Sequence, residues 1–168
     1  MFLRALVSFI ALPGMVAIVV PPTIALIDPF KGNTWTPGII IMAFGAFVLL
    51  WCVRDFFVSG KGTLAPWDPP KTLVVVGLYK FVRNPMYLGV LCLVLGWSCY
   101  FNSPLLLLYV IILSQLFRRR VINHEEPWLE SQFQEQWQIY KKNVPRWLPR
   151  VKPWQQKLLT RQIDSNEP

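Results

Sequence analysis

Four apolar runs, at about 5–27, 37–58, 86–101 and 104–117, are separated by polar segments, and this alternation constrains the fold more than any other feature. The first two are long enough to cross a bilayer as helices. The third and fourth reach only about 24 Å and 21 Å as helices, so each is expected to extend into its flanks, the fourth to about residue 120. Asn102-Ser103-Pro104 leaves room only for a tight turn between them, which predicts an antiparallel helical hairpin. Hydrophobic residues make up 54% of the chain and charged residues only 15%, a balance poorly suited to a soluble domain of this size.

Charge placement sets an orientation. If all four runs span, every Lys and Arg except Lys31 falls on the side that holds the N-terminus, residues 54–85 and everything after Phe117. Positive residues accumulate on the cytoplasmic side, so both termini are expected there. This placement also argues against nucleic acid as the reason for the net charge of +8. The first run resembles a signal peptide, but it continues past residue 20 without a small-residue cleavage pattern and is interrupted by prolines 13, 21 and 22. A retained helix is expected instead. Cys52, Cys92 and Cys99 lie inside apolar segments, and with one His in the chain neither a disulfide framework nor a metal site is expected.

The expected fold class is therefore an all-α membrane protein forming one domain over 1–168. It has four transmembrane helices (about 5–27, 37–58, 86–101 and 104–120), a cytoplasmic loop at 59–85 and a cytoplasmic tail at 121–168. Glycines 60 and 62 and prolines 66, 69 and 70 exclude regular helix from the first part of the loop. The apolar stretch 71–77 is too short to span and is expected to be extended, at the interface or against the bundle. In the tail, Trp128, Leu129, Phe133, Trp137 and Tyr140 recur at helical spacing, predicting an amphipathic helix.

Polar groups collect where the third and fourth helices leave the membrane. Arg83-Asn84-Pro85-Met86-Tyr87-Leu88-Gly89 opens the third, and Arg118-Arg119-Arg120 closes the fourth just before His124-Glu125-Glu126. Singly, these have ordinary explanations. Arg83 is a positive anchor before a first-turn proline, Tyr87 an interfacial aromatic, and the glutamates an acidic first helical turn. Together they suit a charged small molecule held beside lipid.

At these residues the chain resembles the membrane methyltransferases that include isoprenylcysteine carboxyl methyltransferase and phosphatidylethanolamine methyltransferase. The prenylcysteine enzymes carry Arg-His-Pro-x-Tyr-x-Gly, a Glu-Glu pair, Phe-Gly-x-x-Tyr-x-x-Tyr and Val-Pro. This chain has Arg83 to Gly89, Glu125-Glu126, Phe133…Trp137…Tyr140 and Val144-Pro145. The phospholipid enzymes use Asn-Pro-Met-Tyr and Glu-Glu-Pro, found here at 84–87 and 125–127.

The resemblance implies an S-adenosylmethionine site contacted by Lys71, Thr72, Leu73, Val74, Tyr79, Asn84, Pro85, Met86, Tyr87 and Glu125. By charge, Glu125 suits the cofactor's ammonium, Arg83 its carboxylate, and Tyr79 or Tyr87 a cation-facing ring. Arg83 and Glu126 are the candidates for catalysis. Glu126 or His124 would act as base if the acceptor is an amine that must lose a proton. Prenylcysteine enzymes meet the substrate carboxylate with an Arg four residues before the glutamate, where this chain has Val121. Arg120 is the neighbouring substrate candidate, although on an ideal helix it points about 100° away.

The implied acceptor is hydrophobic or lipid-like and enters from the bilayer, with anionic lipid favoured by the basic tail. Two other readings stand beside this one: an NADPH-dependent sterol-type reductase, and a non-catalytic membrane scaffold or transporter.

Overall fold

The computed structural model describes residues 10–60 and 72–155, and among them every regular element is helical. Helix α1 begins with π winding over Ile10–Val19 and continues as α-helix over Val20–Ile27. Its winding changes immediately before Pro21 and Pro22, which have no N–H to give the backbone ladder. The other helices are α2 (Gly38–Gly60), α3 (Pro85–Phe101), α4 (Pro104–Arg120) and α5 (Glu126–Asn143), with a 3₁₀ turn at Gly77–Lys80 and a π turn at Val121–Glu125. The helices thus fall on the apolar runs and on the amphipathic tail segment, except that α2 continues through Gly60 into the expected start of the loop. Within α2, Gly38–Asp55 is long and apolar enough to cross a membrane; α3 is apolar but shorter.

Helices α2 and α3 pack antiparallel at close range because glycines meet at two levels. A Cβ on Gly45 would lie 2.6 Å from the Leu93 nitrogen, and one on Gly96 would lie 2.6 Å from the Met42 nitrogen. Backbone atoms cannot yield as a flexible side chain does, so small residues are required here. Gly45→Val is expected to force the helices apart and to cost about 1–3 kcal/mol. Thermal unfolding in detergent followed by circular dichroism would show it as a lower Tm.

At the end away from the polar cluster, Asp28 ties α1 to the α3–α4 turn. Its carboxylate accepts from the Ser103 hydroxyl, and from the N–H groups of Leu105 (3.3 Å) and Phe30 (2.9 Å). Asn102 turns the chain in the left-handed region (φ 47°), and Ser103 caps α4 by accepting from Leu106 N–H. The expected tight hairpin is therefore present, with Asn supplying the positive φ that most residues avoid.

At the other end, residues 144–154 fold back as a strap along residues 80–84. Arg83 N–H donates to the Pro145 carbonyl (2.9 Å), Arg150 N–H to Phe81 (3.0 Å), and Trp154 N–H to Lys80 (3.0 Å). Val75, Trp137, Tyr140, Val144 and Trp154 form a core beneath it. Val75 thus packs on the tail, while Val74 packs on Cys52 of α2. This sets the described part of the stretch, 72–77, against the bundle, one of its two sequence expectations.

Helix α5 bends at Gln134 (φ 37°, ψ −111°), where the resembling prenylcysteine enzymes carry Gly. A side chain in this region is strained. Gln134→Gly is expected to stabilise the fold by up to about 1 kcal/mol, readable as a raised Tm.

Phe44, Phe47 and Leu50 on α2, with Leu107, Leu108, Ile111 and Leu116 on α4, leave two apolar faces exposed.

Candidate functional site

Residues 73–84, up to the N-cap of α3, converge with the π turn and α5 on a cavity of about 80 Å³. Leu73, Val74, Val121 and Leu129 give it apolar walls; Tyr79, Trp137 and Tyr140 are its aromatic residues; and Arg83, Asn84, Glu125 and Glu126 bring polar groups. The sequence-predicted residues Leu73, Val74, Tyr79, Arg83, Asn84, Glu125 and Glu126 are therefore brought together. Pro85, Met86, Tyr87, Arg120 and Thr72 lie outside the lining. Lys71 lies outside the described residues.

The two glutamates occupy different environments. Glu126 is buried, with 8% of its side chain exposed. It accepts from Arg83 Nη1 (2.9 Å) and, at both oxygens, from Arg146 Nε (2.6 Å) and Nη2 (2.7 Å). Burial pushes its pKa upward, but the Arg146 hydrogen bonds and the two positive charges outweigh burial and hold it below the ordinary carboxylate value. Burial likewise pulls the Arg83 guanidinium's pKa down, with Glu126 opposing it. Arg83 also stacks over the Trp137 ring, 5.4 Å from its centroid.

Glu125 is one-third exposed. The Tyr87 hydroxyl and Arg120 Nε (2.9 Å) both donate to its Oε1, which leaves Oε2 without a protein partner among the described residues. The Tyr87 ring lies between Phe117 of α4 (4.5 Å between centroids) and Trp147 of the strap (6.4 Å). Its position outside the lining follows from that packing, while its hydroxyl orients the carboxylate.

The π turn explains the Arg120 contact. Residues five apart lie about 140° from each other around an α-helix, whereas here the Glu126 N–H bonds the Val121 carbonyl five residues back. The wider winding brings Arg120 and Glu125 onto one side. The ideal-helix angle between Arg120 and its neighbour Val121 holds: Val121 is buried in the cavity wall, and Arg120 points away from it and lies outside the lining.

Several other predicted residues are tied into the scaffold. The Asn84 side chain donates to the Arg146 carbonyl (3.2 Å). Pro85 is fully buried in the first turn of α3, and Met86 packs between two core clusters. Thr72 donates to the Ser59 carbonyl (3.0 Å). His124 is exposed. Tyr140 donates to the Tyr79 carbonyl (2.7 Å), fixing Tyr79 against the cavity. Burial raises the pKa of both tyrosines, so they act as neutral phenols.

Sequence reasoning did not place Arg146 at the site, and it read Leu129, Trp137 and Tyr140 as residues of an amphipathic helix face. Arg146 stands in Val144-Pro145-Arg146, and nothing in its type separates it from the other basic residues of the tail.

No solved structure matches this chain. A Haemophilus influenzae protein of uncharacterised function is 38% identical over 63 residues, which is 38% of this chain and all of that protein. The protein-S-isoprenylcysteine O-methyltransferase of Schizosaccharomyces pombe is 34% identical over 80 residues, covering 47% of this chain and 34% of that enzyme. A Delta(14)-sterol reductase of Mus musculus is 35% identical over 93 residues, 54% of this chain and 22% of the reductase. The family model for phospholipid methyltransferases matches residues 33–136, across α2, α3, α4 and the cavity residues from Leu73 to Leu129, and the chain belongs to that family.

Proposed function

We propose that this protein transfers a methyl group from S-adenosylmethionine to a hydrophobic or lipid-like acceptor at the cytoplasmic face of a membrane. The observation that carries this reading is the Glu125 carboxylate, oriented by Tyr87 and Arg120 at a cavity with aromatic and apolar walls. Its donor set suits the cofactor. Glu125 offers a carboxylate to the ammonium, Tyr79 a neutral ring to the sulfonium, and Leu73, Val74, Val121 and Leu129 surfaces that exclude water. The cavity, about 80 Å³, takes one end of that molecule.

S-adenosylmethionine, when bound, supplies an electrophilic methyl group, and no covalent nucleophile is required of the protein. The chain's residues align the two reactants and keep water out. Arg83 and Glu126 serve by holding each other and Arg146, which fixes the strap over the site; we assign them a positioning role. A base is needed only for an acceptor that must lose a proton, and Glu126, held ionised by two arginines, is poorly placed for it.

We further propose that the chain is a single membrane-embedded unit, with α1 to α4 spanning and both termini cytoplasmic. The exposed apolar faces of α2 and α4 support this, as does the confinement of Lys and Arg, Lys31 excepted, to one side.

A sterol-type reductase is the second reading, favoured by the likeness to the Delta(14)-sterol reductase. Calorimetric titration of the detergent-purified protein with S-adenosylhomocysteine and with NADPH separates them. Binding of the first alone is expected; binding of NADPH alone would replace the methyltransferase reading.

A further inference from the structure

The described residues contain four buried side-chain polar atoms without a hydrogen-bond partner, and two of them belong to residues lining the cavity: Arg83 Nε and Trp137 Nε1. Both are donors. The Arg83 side chain is 8% exposed and Trp137 2%, so neither N–H is simply solvated. Buried donors of this kind are rarely left unpaired in native proteins unless a ligand or water meets them. The two side chains are also held together, with the guanidinium stacked over the indole.

The local charge has the matching sign. Glu126 is shared by Arg83 and Arg146, so one anion faces two cations and the cluster keeps a positive excess. Glu126 takes Arg83 through Nη1, the nitrogen on the Cδ side of the guanidinium. The edge formed by Nε–H and Nη2, which can meet a carboxylate with two parallel hydrogen bonds, is not the edge that Glu126 uses. A cavity of about 80 Å³ admits a carboxylate or two or three waters.

We infer that Arg83 Nε and Trp137 Nε1 form a carboxylate subsite within the cavity. Two sources offer that chemistry: the amino-acid end of the methyl donor, whose assignment rests on the function proposed above, and a carboxylate on a lipid-like acceptor. In the first case the subsite and Glu125 grip the zwitterionic end of the donor through opposite charges. In the second, Trp137 and Arg83 select an acidic acceptor.

The experiment measures affinities of the full chain in lipid nanodiscs for S-adenosylhomocysteine and its decarboxylated form, and for decanoate and decanol. Wild type is compared with Trp137→Phe and Arg83→Lys, the latter keeping a cation toward Glu126 while removing Nε–H. If the donor's carboxylate is the ligand, S-adenosylhomocysteine binds at least tenfold more tightly than its decarboxylated form. Each variant then loses about tenfold for the acid and nothing for the decarboxylated form, which also reports that the variant is folded.

If the acceptor's carboxylate is the ligand, the same pattern appears for decanoate over decanol and not for the donor pair. Should both variants fail to fold, the wild-type preference is read with ¹⁵N-indole spectra. Acid-specific binding accompanied by an acid-specific shift of an indole N–H supports the subsite, and its absence overturns it. Equal affinity for acid and decarboxylated or alcohol forms in both pairs also overturns it. If S-adenosylhomocysteine does not bind at all, the methyltransferase reading fails, and the decanoate arm alone decides the subsite.

Discussion

Glu126→Ala is expected to lower the unfolding free energy by about 3–5 kcal/mol, because it leaves two guanidinium groups facing each other without their shared carboxylate. Arg83 is buried and cannot recover water in exchange, while Arg146 would lose two close hydrogen bonds. The strap held by Arg146 would loosen at the same time, so limited proteolysis should cut near residues 144–154 before the rest of the chain. Denaturant unfolding in detergent tests the magnitude. A loss below about 1 kcal/mol would mean that the ion pair contributes no more than a surface pair does.

The same cluster sets a pH dependence. The folded-state pKa of Glu126 lies below its ordinary value, so its contribution is fully present above the unfolded value of about 4.3. It is lost as pH falls through the depressed folded pKa. Wild type should lose Tm steeply in acid, and Glu126→Gln should show a shallower loss over that range, since it lacks the titrating group.

Glu125→Gln is expected to separate binding from folding in the opposite way. Its side chain is one-third exposed and Arg120 is half exposed, so removing that charge should change stability by less than about 1 kcal/mol. Gln also keeps an acceptor for the Tyr87 hydroxyl. Affinity for S-adenosylhomocysteine should nevertheless fall by about a hundredfold, the effect of removing a charged partner from the ligand's ammonium. Calorimetric titration beside a melting curve checks both halves. Normal binding by this variant would move the ammonium site away from Glu125 and leave the fold intact.

The two neighbouring glutamates show where sequence stops being informative. Glu125 and Glu126 are adjacent and chemically identical, yet the structure gives one two arginines and leaves the other an oxygen without a protein partner. Which is which depends on Arg146, twenty residues on, and on the winding of Val121–Glu125. The expected amphipathic helix is present, but its apolar residues do more than cover a face. Trp137 and Tyr140 enter the core and line the cavity, and that depends on the bend at Gln134 and on the fold-back of the strap.

The sequence by itself determined where the helices lie and where α3, α4 and α5 begin. Apolar runs of sufficient length, prolines in the first turns of α3, α4 and α5, and Asn102-Ser103 between α3 and α4 act through local backbone sterics and hydrogen bonding, which neighbouring residues fully specify. Motif order was enough to indicate the family. Only the tertiary structure decided which charges neutralise one another and which donors remain unpaired. Those outcomes depend on burial and on contacts between residues 20 to 62 positions apart, and no local pattern encodes either.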